Sequence, residues 1–413
     1  VGEPRPDSTA MSLNDVTQAV LANNPSIKSA QKKWSAMKSR IPQAAAWEDP
    51  KVSFMDKIDR SINVAPNSFP DQILSLEQMI PVSGKNRARA RIAAAEALVA
   101  FEELRRQELD VVARARASFF RLANAQAQIE LNRKNLVSLT QIAEISRAKY
   151  QSGEQSAAFV LTAEIECSKL MEARRDLDQQ LDAEESQLNV LMNRDAFSPI
   201  GQPAGAGTIP PIPPLEKLRG LTLAHRPEVR IAAARVEREK ANLQLAHREW
   251  IPDPAITVQA QRYNGASTAT SEVDAGISFN IPWVNFRKYS AEIHEMEDNL
   301  QAAQQDLQRA RSEALGMLRD ALEKVETQHH HIELYRSKLL PQARQAFEAS
   351  QFGYQSGKVN FMDWITAQRN VRDLESMERQ AVSGYQVALA ELEALAGAEL
   401  NSFSPASPRI KSK

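Results

Sequence analysis

A single cysteine, Cys167, rules out an intrachain disulfide and leaves the redox compartment open. Glycine is scarce, at 14 residues in 413, and aromatics make up only 6%, so the chain does not have the composition of an ordinary globule. No apolar run approaches the ~18 residues of a membrane-spanning helix, so a chain that crosses a bilayer must do so with strands. Neither sign of charge prevails. With 51 basic and 52 acidic residues, nothing in the total suggests a nucleic-acid or acidic-lipid partner. Basic residues cluster at Lys85, Arg87, Arg89 and Arg91, which a solvated helix start explains equally well. No secretory leader is read at the start, where Val1 opens the polar stretch Gly2-Glu3-Pro4-Arg5.

Catalytic signatures are missing too. There is no Walker A loop, no dinucleotide-binding glycine fingerprint and no paired cysteine motif, so neither an enzyme nor a cofactor is expected. The tract His329-His330-His331 is the one metal-like feature. Successive helical residues point about 100° apart, so three in a row cannot converge on one ion from one straight helix. The tract reads as a solvated helix face, and only an oligomer axis could gather it into a site. Cys167 falls in an amphipathic helical segment and reads as a small packed side chain.

What is present is helix-forming residues in long stretches, and they are duplicated. Asn24-Pro25 reappears as Arg226-Pro227, Asp49-Pro50 as Asp253-Pro254, and Ile80-Pro81 as Ile281-Pro282. Tyr150-Gln151-Ser152-Gly153 returns identically as Tyr354-Gln355-Ser356-Gly357. The offsets stay between 201 and 204 residues, in the same order. This divides the chain into an N-terminal extension (1–12), a first repeat (13–197), a Pro/Gly-rich linker (198–214), a second repeat (215–397) and a tail (398–413).

Each repeat has the same grammar. A helix of about 35 residues is expected over 13–47 and again over 215–250, stopped by Asp-Pro. Two strands come after it, at 52–59 and 72–80, then at 256–263 and 273–281. The last is the plainest, with Val273, Ala275, Ile277, Phe279 and Ile281 alternating with polar or small residues. The first is ambiguous, because Asp56 shares a face with Val52, Phe54 and Ile58. A very long helix comes next (85–150 and 287–354), then a turn and a returning helix ending near Asn193 or Gly397. Ala115, Leu122, Ile129, Leu136 and Ala143 recur every seven residues, a coiled-coil seam. Four strands cannot close a barrel, and open edges are not tolerated in hydrocarbon, so membrane strands would have to be pooled by several protomers. A soluble coiled-coil scaffold or adaptor is the alternative, and detergent dependence separates the two.

Together these features resemble the TolC-like outer membrane efflux family over residues 13–397. The resemblance rests on Asn24-Pro25, Arg226-Pro227, the strand exit from Gln78 to Lys85, and the Tyr-x-x-Gly turns. The Pro81-Val82-Ser83-Gly84-Lys85 exit is most similar to the heavy-metal branch. The resemblance implies a mainly α chain with a small β part: duplicated long-helix hairpins plus four strands. Three chains would form a 12-strand β-barrel in the outer membrane on a 12-helix α-barrel in the periplasm. It implies as partners a periplasmic adaptor, an inner-membrane pump of the resistance-nodulation-division type and outer-membrane lipid, with metal ions the favoured cargo and multidrug efflux or type I secretion the alternatives. Tyr150, Gln151, Ser152, Gly153 and Glu154, with Tyr354, Gln355, Ser356, Gly357 and Lys358, would form the adaptor-contacting tip. Asp363 matches the first acidic position of the family's entrance, and the second position holds Thr366, which weakens the case for cation selectivity. The first repeat has Phe159 where the second has Asp363. Pro341, whose counterpart is Val137, would act as a hinge in the second hairpin.

Overall fold

The computed structural model describes residues 10–58, 70–205, 209–263 and 270–397. Most of the expected N-terminal extension, the end of the first strand at Asp59, part of the linker and the tail lie outside the described residues.

The first repeat opens with β1 (Met11–Ser12) and α1 (Leu13–Asn23). A capping box starts the helix: the Asp15 amide donates to the Ser12 hydroxyl, and the Ser12 amide donates to the Asp15 carboxylate. The single helix expected over 13–47 is in fact two. Asn24 adopts φ −60° and ψ 125°, and α2 (Pro25–Ala45) begins after it. Proline excludes the residue before it from helical geometry, and Asn24 compensates by accepting the Ser26 amide with its side chain. The strands β2 (Lys51–Asp56) and β3 (Gln72–Met79) come next, then α3 (Lys85–Gln151) and α4 (Ala157–Leu191).

In the linker, β4 (Pro203–Ala204) pairs in parallel with β1. The second repeat runs α5 (Leu215–His225), α6 (Pro227–Glu249), β5 (Ala255–Tyr263), β6 (Thr270–Ser278), a 3-10 turn at Pro282–Asn285, and α7 (Phe286–Leu334). The expected 215–250 helix is broken at Arg226, for the same reason as at Asn24. A π-turn, Tyr335–Leu339, separates α7 from α8 (Leu340–Gln355), and α9 (Phe361–Ala396) completes the repeat. Pro341 sits directly after that turn. The Leu340 amide reaches back five residues to the Tyr335 carbonyl, so the extra residue absorbs the ring instead of leaving a broken α-turn.

The chain divides into two compact units. The first takes the described residues up to 29, 105–227 and from 312 onward. Its helices bury Leu218, Leu318, Val325, Tyr385 and Leu392 in one cluster and Leu139, Ile142, Leu170, Tyr354 and Trp364 in another. The linker is part of it: Ile209 and Ile212 pack on the first cluster, and the Tyr385 hydroxyl donates to the Pro210 carbonyl at 2.5 Å. The heptad seam of α3 buries Ala115, Leu122 and Ala143. It is only half of the seam. Val111, Ser118, Ala125, Asn132, Leu139 and Ser146 form a second, equally buried row at the same spacing.

The second unit takes residues 30–104 and 228–311 and carries the sheet, in the order β2-β3-β5-β6, all antiparallel. Its register aligns Val52, Leu76, Val258 and Ala275 in one row and Phe54, Leu74, Ala260 and Val273 in the next. Ile256 and Ile277 continue that face. The opposite face carries Ser53, Ser75, Gln259 and Asp274, then Lys51, Glu77, Thr257 and Gly276. Asp56 is now accounted for: it lies beside Gln72, Arg262 and Ser271 in a polar row that ends the apolar face. Val52, Val273 and Ile277 are each at least 70% exposed, so the apolar face finds no cover among the described residues.

Candidate functional site

At the strand exit, Asp253 does more than stop a helix. Its carboxylate accepts the Ser83 amide at 2.8 Å and the Ser83 hydroxyl at 2.7 Å. The Lys85 ammonium lies 3.4 Å from Asp253 and 3.2 Å from Glu249. Burial opposes ionisation of Asp253, but the Ser83 hydrogen bonds and the Lys85 charge outweigh it and hold the carboxyl below its usual range. The lysine of the Pro-x-x-Gly-Lys motif is therefore a brace between the start of α3 and the end of α6.

The two turns of the first unit have matching backbones. The Glu154 amide donates to the Lys149 carbonyl at 2.9 Å and the Lys358 amide to the Gly353 carbonyl at 2.8 Å, with Gly153 and Gly357 at φ 78° and 72°. Ser156 and Asn360 cap the returning helices. Gln151, Ser152, Glu154, Gln355, Ser356 and Lys358 are exposed. Tyr150 is exposed as well, whereas Tyr354 is buried and stacks on Trp364 with ring centroids 4.7 Å apart. The Lys149 ammonium lies 4.3 Å above the Tyr354 ring, and Gln155 donates to its hydroxyl at 2.6 Å. Burial pushes the Tyr354 phenol up.

Asp363 and Thr366 are exposed one turn apart on α9 and line an open groove of about 530 Å³ between α8 and α9. The groove also takes in Asn370 and Asp373, with Ala343, Ala346 and Met377. Asn370 and Asp373 are not among the positions expected from sequence, yet the signal was present: 363, 366, 370, 373 and 377 keep the alternating three-and-four spacing of one helix face.

Glu166, which is 2% exposed on α4, is likewise absent from those expectations. Its carboxylate takes Lys169 at 2.9 Å, Arg369 at 2.7 Å and Arg372 at 3.4 Å. Burial works against its charge, but the Lys169 and Arg369 contacts prevail and lower its pKa. Cys167, next to it, is half-buried against the cluster of Tyr354, Phe361 and Trp364, and burial pushes its thiol up. His329 and His330 are exposed on α7. Among the described residues no three potential metal ligands come together.

A duplicated chain whose four-stranded sheet is apolar on one face, mostly polar on the other apart from Met55 and Ile73, and open at both edges is one share of a pooled membrane barrel, which places it among outer-membrane channels. The chain belongs to the outer membrane efflux protein family, whose model matches residues 16–194 and 218–398. Members of that family are channels, not enzymes. They form homotrimers that work with an adaptor and an inner-membrane pump, and they extend from the outer membrane into the periplasm. The chain is 21% identical over 368 residues to the cobalt-zinc-cadmium resistance protein CzcC of Cupriavidus metallidurans, covering 89% of this chain and 85% of that one. Among solved structures it is similar to the outer-membrane channel OprN, with TM-score 0.78 and 16% identity over 94% of this chain and 90% of that one. It is also similar to VceC of Vibrio cholerae, with TM-score 0.77 and 18% identity over 94% and 96% of the two chains.

Proposed function

We propose that this channel conducts metal cations, delivered by a pump of the resistance-nodulation-division type through a periplasmic adaptor, and that α9 lines its entrance. The observation that carries this reading is the polar stripe of Asp363, Thr366, Asn370 and Asp373 on one side of α9. In a trimer of this chain, three copies would bring carboxylates to the entrance at two levels, Asp363 and, two to three turns away, Asp373. Such rings attract cations and repel anions, most strongly where the passage is narrow. Asp373 supplies a second acid that Thr366 does not, although the Arg372 guanidinium, 3.0 Å away, moderates it. Similarity to CzcC supports cobalt, zinc and cadmium as the cargo class. Gln151, Ser152 and Glu154, with Gln355, Ser356 and Lys358, are the exposed turn residues that would meet the adaptor.

The test is a deletion strain complemented with the wild-type chain or with Asp363→Asn/Asp373→Asn, challenged with cobalt, zinc, cadmium, bile salts and dyes. Metal tolerance is expected to depend on the wild-type chain and to fall several-fold in the double variant, with dye tolerance unchanged. Restored metal tolerance in the variant would overturn the entrance assignment. A deletion phenotype limited to dyes and bile salts would overturn the cargo.

A further inference from the structure

The apolar row of β6 does not stop with the strand. Phe279 and Ile281 keep its alternation up to the 3-10 turn that carries Trp283, each of the three is about half exposed, and Val284 and Phe286 beyond them are exposed as well. From Val273 to Ile281 the chain advances eight residues before that turn. At ~3.4 Å per residue and a tilt near 40°, that covers about 21 Å, most of the ~25 Å height of the apolar band on a membrane barrel. The lipid-facing surface therefore ends at Trp283 and Phe286, aromatic residues of the kind that settle at headgroup level.

Cations begin at that level, in both repeats. The 201-residue offset that relates Ile80-Pro81 to Ile281-Pro282 also pairs Val82 with Trp283, Asn86 with Arg287, and Arg87 with Lys288. Arg87, Arg287 and Lys288 are exposed, and none of them takes part in a salt bridge among the described residues. Their neighbours are committed elsewhere: Lys85 to Glu249 and Asp253, and Arg91 to Gln244 at 2.7 Å. Neither α3 nor α7 has an acidic residue in its first turn. A cation at a helix N-terminus opposes the helix dipole, so these three charges weaken the helices they begin. An anion bound there would relieve the side-chain charges and their conflict with the helix dipole.

We propose that Arg87, Arg287 and Lys288 form a cationic collar that docks the phosphodiester headgroups of anionic glycerophospholipids in the periplasmic leaflet. The proposal rests on the reading that the apolar sheet face meets lipid. Continuity with that face selects a lipid as occupant, because a lipid phosphate arrives attached to chains that cover Phe279, Ile281 and Trp283. The balanced charge of the whole sequence conceals the collar. The relevant quantity is local, since attraction to an anionic surface decays within a Debye length of about 8 Å.

The test uses the purified full-length channel in mixed micelles, with tryptophan quenching by dibrominated phosphatidylglycerol compared with dibrominated phosphatidylcholine. The Trp283 share of the signal is defined by Trp283→Phe. Each surface cation favours an anionic headgroup by roughly fivefold, so the Trp283 signal should be quenched at least about fivefold more effectively by phosphatidylglycerol. That preference should vanish in Arg87→Gln/Arg287→Gln/Lys288→Gln and persist in millimolar inorganic phosphate. Equal quenching by the two lipids overturns the collar and leaves the lipid-facing band intact. No quenching by either overturns both. Competition by inorganic phosphate would mean a free-anion site and also overturns the proposal. The wild-type comparison decides the matter even if the triple variant does not fold.

Discussion

The two Tyr-Gln-Ser-Gly turns share three matching backbone hydrogen bonds, yet Tyr150 is 49% exposed and Tyr354 is 3% exposed. The difference lies in the first turn of the returning helix. Where the second repeat places Phe361 and Trp364 against its tyrosine, the first has Ala157 and Val160 at the matching positions. Lys149 and Gln155 of the first turn then reach across to Tyr354. Glycine and the N-caps set the turn, and the next helical turn decides whether its tyrosine is core or surface. The repeats thus share a scaffold while the second carries the aromatic core, the π-turn and the acidic stripe.

The largest expected effect comes from the residue where the first repeat depends on the second. Glu166, whose counterpart is Asn370, balances Arg369 on α9 and shares Arg372 with Asp373. Glu166→Ala strands Arg369 and leaves Arg372 with Asp373 as its partner, and breaking a buried ion pair costs ~3–5 kcal/mol. Both arginines keep some exposure, which puts the expected loss near the lower end, about 3 kcal/mol, read as a fall in unfolding temperature. The pH dependence has a definite sign. The folded carboxyl titrates below its unfolded value of 4.5, so it stabilises the fold above that pH and loses its contribution as pH falls through the folded value. The gap between wild type and variant should close in acid. A gap that stays constant from pH 7 to pH 3 would remove the charge from the explanation.

Exchanging one feature between the repeats sharpens the comparison. Val137 lies on the solvent side of an unbroken α3, whereas Pro341 sits just after a π-turn. Val137→Pro should cost ~3 kcal/mol, because no π-turn is there to absorb the ring. Pro341→Ala should change stability by less than about 1 kcal/mol while slowing amide exchange over residues 335–341, as an ordinary α-ladder becomes available. If Pro341→Ala also leaves single-channel conductance unaltered, the π-turn is a packing accommodation and the proline is no hinge.

Much of this comparison is legible from spacing alone. The repeat, the four strands and the tip turns are announced by local signals, namely periodicity, Asp-Pro and Tyr-x-x-Gly. What stays hidden depends on partners distant in sequence. Ser118, Asn132 and Ser146 make up half of the second row of the α3 seam but are polar, so a search for apolar heptads passes over them. The fold makes Asn132 a seam residue by giving its side-chain amide the Leu170 carbonyl at 3.1 Å. Glu166 looks like any helical glutamate until Arg369, 203 residues later, arrives beside it. The breaks at Asn24 and Arg226 were visible as X-Pro steps, but the amphipathic pattern continues across them and makes two helices read as one.

A last comparison tests whether the two turns are equivalent in energy as they are in geometry. Gly153 and Gly357 hold φ of 78° and 72°, and a Cβ added at either position meets nothing within 4 Å. The cost of alanine is then purely that of the left-handed backbone, ~1–2 kcal/mol, with no steric part to separate the two sites. Gly153→Ala and Gly357→Ala should therefore lower the unfolding temperature by the same amount. A larger loss at Gly357 would mean that the buried Tyr354 transmits the strain into its aromatic core, while the exposed Tyr150 lets the first turn relax. Equal losses would show that the divergence of the repeats begins only after the turn, at Ala157 and Phe361.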